Sequence, residues 1–177
     1  MTISLTIDTS TSQTIVGLVK DGEILFEQSH SGATDHGHAV AQLVADALKI
    51  GVTPDQVVVG MGPGPFTGLR VGIAFAYSFA LARGIRVIGI CSLDAIDTGK
   101  SDYTVAIDAR RKEIYWAKYS GGVRIGGPSV SAPSEVADYI IDLYPSPLKM
   151  VELSLADNFV EPFYLRRPDA VPTAERS

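Results

Sequence analysis

Residues 3–8 alternate apolar and polar side chains of β-favouring type, the period of a strand with one buried face. Residues 14–20 and 23–28 repeat the pattern. The Asp21-Gly22 pair between them predicts a tight hairpin, because both central positions of such a turn need positive φ. The period then changes. Val40, Leu43, Val44, Ala47 and Leu48 recur on one helical face, with Asp35 as N-cap and Gly51 as the stop. Val57-Val58-Val59 predicts a buried strand, residues 67–83 a long helix, and residues 86–90 another strand. Ser92 is expected to cap a short helix. Three strands, helix, strand, helix, strand is a meander joined to right-handed crossovers. A second unit starts near Tyr103, with strands at 104–108 and 113–119 around an Asp-Ala-Arg-Arg turn. Gly121-Gly122 and Gly126-Gly127-Pro128 are expected to be loops, and 133–143 a short helix. The expected lobes are residues 1–100 and 101–177.

Composition narrows the class. Hydrophobic residues make up 46% of the chain and charged residues 20%, a globular balance. The net charge of -5 argues against a broad nucleic-acid-binding face. Cys91 is alone, so no internal disulfide forms, which suits a reducing compartment. Met1-Thr2-Ile3-Ser4 lacks the basic region and apolar core of a signal peptide, and the apolar run 71–82 is too short to span a bilayer. Together these predict a soluble cytoplasmic protein.

The densest information lies in Gly60-Met61-Gly62-Pro63-Gly64-Pro65-Phe66-Thr67-Gly68-Leu69-Arg70, which joins a buried strand to a helix. Such junctions favour anions through free N–H groups and the helix dipole. A Walker A loop would need Lys and Ser or Thr after Gly68, where Leu69 and Arg70 stand. A dinucleotide fingerprint would need glycine at Thr67, and no serine sits in the position of a nucleophile elbow. The helix instead carries Gly68, Gly72, Ala76 and Ala80 at every fourth position, with Leu69, Ile73, Phe75, Phe79 and Leu81 elsewhere around it. A small-residue ridge permits close approach of another backbone. Spacing alone does not decide between a buried core helix and a helix that meets another chain.

The stretch 62–72 closely resembles the signature of the TsaB (YeaZ) family. Ile7-Asp8-Thr9-Ser10, the run Ile107-Asp108-Ala109-Arg110-Arg111-Lys112-Glu113-Ile114-Tyr115, and Pro162-Phe163-Tyr164-Leu165-Arg166 are similar to its other motifs, in the same order. The resemblance implies an actin-like ATPase fold: an α/β protein of two lobes with mixed sheets flanked by helices, here with a reduced second lobe. It implies a non-catalytic scaffold subunit that binds a TsaD-type catalytic subunit in threonylcarbamoylation of tRNA adenosine at position 37. The partner-facing residues carried over are His38, Gln42 and Asp46 on the first helix and Gly68, Leu69, Gly72, Ile73, Ala76 and Ala80 on the second. A TsaE-type ATPase would join the complex and tRNA would be reached through it; the apolar helices leave both a monomer and a homodimer open for the chain alone. The chain would hold no cofactor; ATP or ADP and a metal ion would belong to the partners. Pro65 stands where the family commonly has serine, and Asp35-His36-Gly37-His38 departs from the usual His-Ser-Glu-like helix start.

Asp8, with Thr9 and Ser10, and Asp108, with Arg110, each end a strand at a polar turn. In actin-like ATPases equivalent turns hold phosphates and Mg²⁺. Here they read first as inherited, vestigial structural turns, because no further acid for activating water stands out. The rival reading, a small actin-like ATPase or phosphotransferase, needs turnover that depends on both aspartates. His36 and His38 lack the i, i+4 spacing of a helical metal pair. Cys91 near a helix start would be either acidified or simply a small buried side chain. Arg110-Arg111-Lys112 and Arg166-Arg167 are basic clusters read as solvated faces.

Overall fold

In the computed structural model, which describes residues 1–32 and 34–166, the alternating segments become β1 (Ile3–Asp8), β2 (Gln13–Lys20) and β3 (Glu23–Ser31). Asp21 and Gly22 take φ of 48° and 85° at the β2–β3 turn, as the hairpin signal requires. α1 (His36–Leu48), β4 (Gln56–Gly60), α2 (Phe66–Arg83) and β5 (Arg86–Ile90) follow. The sheet order is β3-β2-β1-β4-β5. The first three strands are antiparallel, and β4 is parallel to both β1 and β5. Both helices pack into one core with Leu5, Ile7, Val16, Leu18, Val57 and Val59. Strand alternation sends Thr6, Ile15, Val19 and Val58 to the opposite face of the sheet.

The second sheet has the order β8-β7-β6-β9, formed by β6 (Tyr103–Asp108), β7 (Ile114–Ser120), β8 (Val123–Ser131) and β9 (Tyr139–Ile140). β6, β7 and β8 are antiparallel and β9 runs parallel to β6. Cys91, Leu93, Ile96, Val105, Ile107 and Ala117 form its core. Two mixed sheets with helices on the first give an α/β architecture.

Several local expectations fail for identifiable reasons. Residues 133–143 form only a 3-10 turn at Pro133–Glu135 and the short β9; Asp138 and Asp142, at φ 50° and 64°, interrupt any helix. Gly126-Gly127-Pro128 lies inside β8, where the register against β7 shifts, a bulge in place of a loop. Ser92 heads a run of turns and caps no helix. A helix missed in the proline-rich end is α3 (Pro147–Leu153), whose first residue is a proline, a position where the missing N–H costs nothing.

α3 packs on the first sheet, against the face turned away from α1 and α2. A Cβ on Gly17 would come within 2.4 Å of Pro147 Cβ, and Met150 is buried with Val58 and Ile90. The expected second lobe, 101–177, therefore surrenders its last helix to the first sheet. The chain then crosses back between the sheets. Phe159 N donates to Gly89 O and Phe163 N to Met61 O, both at 2.8 Å, while the two rings meet edge-on and pack on both cores. Arg166 pairs with Glu113 and donates to Ala109 O at 2.9 Å. Arg167, half of the second basic cluster, lies outside the described residues. No helix among the described residues is long and apolar enough to cross a membrane.

Candidate functional site

The two aspartate turns have opposite surroundings. Asp8 is fully buried at the end of β1. Its Oδ1 accepts from Ser10 N at 2.9 Å and Ser10 Oγ at 2.6 Å, and its Oδ2 accepts from Ser92 Oγ at 2.6 Å. Gly60 on β4 presses against the same carboxylate: a Cβ there would lie 1.8 Å from Oδ2. Burial pushes the Asp8 carboxyl above its ordinary range, and the Ser10 and Ser92 hydrogen bonds offset this only in part. Thr9 Oγ1 donates to Gly68 O at 2.8 Å and accepts from Gly72 N at 3.1 Å, so this turn is bonded into α2. Its polar atoms are spent on the fold.

The second turn is open. Asp108 is exposed, and its Oδ1 accepts from Arg110 N at 2.9 Å. Arg110, Arg111 and Lys112 follow at φ 60°, 54° and 62°, three consecutive residues in the left-handed region. Asp108 and Arg110 line a cleft of about 140 Å³ whose other side includes Thr11 and Ser12. The two turns thus approach each other, but Asp8 does not line the cleft between them.

The helix pair corrects part of the expected partner surface. Gly68, Leu69, Gly72, Ala76 and Ala80 are the buried side of α2. A Cβ on Gly72 would sit 2.3 Å from Thr9 Oγ1, so this glycine makes room for the chain's own β1 turn, while Ala76 and Ala80 pack in the first core. Ile73 is half-buried in the same core. The outward side carries Arg70, Ala74, Tyr77, Ser78 and Leu81, with Leu81 85% exposed. On α1, His38 and Gln42 are exposed; Asp46 accepts from Gln42 at 3.1 Å and from Lys49 at 2.6 Å. Beside them Gly37, Ala41 and Ala45 form a second stripe of small residues, and this one is exposed. It has the same four-residue spacing as the stripe on α2.

A family model described as TsaD, tRNA N6-adenosine threonylcarbamoyltransferase, matches residues 24–170. The chain is 33% identical to the tRNA threonylcarbamoyladenosine biosynthesis protein TsaB of Escherichia coli, over 65% of this chain and 54% of that protein. The chain belongs to the TsaB (YeaZ) branch of this family. It is also 40% identical to an uncharacterized protein of Mycobacterium tuberculosis, over 96% of this chain and 94% of that one. It spans only about half the length of the E. coli TsaB. In fold it matches a Pseudomonas aeruginosa protein described as similar to peptidase YeaZ, with TM-score 0.80 at 24% identity, over 94% of this chain and all of that one.

Within this TsaB-type chain the other candidates have structural surroundings. His36 is buried, with Nδ1 2.8 Å from Thr14 Oγ1, and its ring packs against Gly68. Burial holds the imidazole below its ordinary range. His38 stands apart, exposed. Among the described residues, no group of three His, Cys, Asp or Glu side chains is arranged to hold a metal ion. Cys91 is buried and its thiol is pushed up to about 12, chiefly by burial, although Arg124 lies 3.3 Å from Sγ. At neutral pH the reactive thiolate is absent. Ser92, expected as a helix cap, and Gly60 emerge instead as the residues that enclose Asp8.

Proposed function

We propose that the chain is a non-catalytic subunit in threonylcarbamoylation of tRNA adenosine at position 37, docking through the outer face of α1 and α2 onto a TsaD-type catalytic subunit. The carrying observation is that outer face. Gly37, Ala41 and Ala45 allow close approach, and Ala74, Tyr77 and Leu81 offer apolar surface beside them, with no acid on α2. The enclosed Asp8 supports the absence of chemistry of its own. In this reading a TsaE-type ATPase joins the assembly, nucleotide and metal belong to the partners, tRNA is reached through the complex in the cytoplasm, and the same helical face pairs two copies when the partner is missing.

Size-exclusion chromatography with light scattering, on this chain mixed with its TsaD-type counterpart, tests the reading. A one-to-one complex is expected. Ala74→Arg should abolish it while the circular dichroism stays native, because Ala74 is exposed. Ala76→Arg should instead unfold the chain, because Ala76 is fully buried. A complex that persists with Ala74→Arg would sink the proposed face. The cleft beside Asp108 keeps a small phosphotransferase as the second reading. ATP hydrolysis by the pure chain that is lost in Asp108→Asn would favour it.

A further inference from the structure

A larger cleft lies on the face of the first sheet turned away from α1 and α2. Gln13, Ile15, Glu27 and Ser29 lie on its β2–β3 side, and the segment 142–146 forms its wall. Strand alternation explains the placement. Thr14 points to α1, where it meets His36, so Gln13 and Ile15 point the other way. Ile15 is paired with Ser29, and Gly17, which faces α3, with Glu27. The wall is anchored independently: Ser146 N donates to Ala95 O at 2.9 Å, and Pro145 bridges to Ile96. The cleft holds about 360 Å³. That falls within the range of small-ligand sites, roughly 300–1,000 Å³.

The lining chemistry is one-sided. Glu27 and Asp142 contribute carboxylates, and the lining contains no Lys, Arg or His. Gln13 Oε1 is a buried acceptor with no hydrogen-bond partner. The one other such side-chain atom found among the described residues, Thr6 Oγ1, is packed beside Gly17 and Pro147 and does not line the cleft. An acceptor buried without a donor is costly, and an N–H donor from a ligand would relieve it. Tyr144, 38% exposed, adds an aromatic ring able to stack on a cation. Asp142 also lines the neighbouring cleft that holds Arg110, whereas Glu27 lines this cleft alone.

We propose that this cleft binds an alkylguanidinium or alkylammonium group, with Glu27 and Asp142 supplying the charge and the Gln13 amide oxygen accepting an N–H. The site is independent of the α1–α2 face and goes beyond the proposed scaffold role. The test is a titration of the full chain, followed by amide chemical shifts, with n-butylguanidinium and with its neutral isostere n-butylurea. Saturable shifts at Gln13, Glu27–Ser29 and 142–146 are expected, with the cation bound at least about tenfold more tightly. Glu27→Gln should weaken it by about tenfold and Gln13→Leu by a smaller factor. Glu27 is exposed on an edge strand, so its substitution leaves the fold intact. N-acetyl-arginine N-methylamide distinguishes the sources: if it also binds, the site accepts a partner protein's arginine, and if it does not, the ligand is a free small cation. No saturable shift by about 10 mM, equal binding of the urea, or undiminished binding to Glu27→Gln would each overturn the proposal.

Discussion

Asp8 and Asp108 end equivalent first strands of the two sheets and enter turns of similar polarity, yet one is enclosed and the other open. The difference lies in what covers each sheet. The first sheet has α1 and α2 on one face and α3 on the other, and β4 and the Ser92 turn close over the end of β1. β6 has the two-residue β9 on its far side, and its turn faces solvent. A buried carboxylate persists only where donors reach it, and Ser10 and Ser92 do so. An exposed carboxylate needs no such partners. The same short motif therefore serves as a structural lock in one lobe and as a solvated turn in the other.

Substitutions can break that contrast, and Gly60→Ala should do so most severely. Its Cβ has no room beside the Asp8 carboxylate, and the backbone of a central strand yields little. A loss of about 3 kcal/mol in urea denaturation is expected. Ser92→Ala and Asp108→Ala form a matched pair. The first leaves Asp8 Oδ2 without its donor and should cost about 2 kcal/mol, while the second removes an exposed turn bond and should cost no more than about 0.5 kcal/mol. Equal costs would mean that the two turns are not differently held.

The subtlest test uses pH. Burial raises the folded-state carboxyl of Asp8 above its ordinary value of 3.8, so the unfolded chain gives up that proton first. The resulting contribution to stability is present below 3.8 and is lost as pH rises toward the folded value. Asp8→Asn, which cannot ionise, should therefore be more costly at pH 3.5 than at pH 7 when both proteins are unfolded side by side. A cost that grows with pH would reverse the assigned role of burial.

The first hundred residues were legible because their periods are clean. The Asp21-Gly22 turn, the amphipathic α1 and the Val57-Val58-Val59 strand each announce themselves locally. α2 was legible as a helix but not in its orientation. It is apolar on nearly every side, so the stripe Gly68, Gly72, Ala76, Ala80 fits an interface or a core equally well; only the close approach of Thr9 shows that the stripe turns inward. The second half was less legible. The helix expected at 133–143 is absent, because its apolar residues complete β9 and the cleft wall, while α3 forms at Pro147, in a stretch to which the sequence assigned no element.

The sequence by itself determined the first-lobe elements, the family motifs and the polar character of both aspartate turns, since these depend on residues close together in the chain. Only the tertiary structure decided which side of α2 is exposed, that Ser92 and Gly60 enclose Asp8 from 84 and 52 residues away, and that α3 belongs to the first sheet. Those outcomes depend on contacts between segments far apart in the chain, and no local period or turn signal records which surfaces the finished fold will bring together.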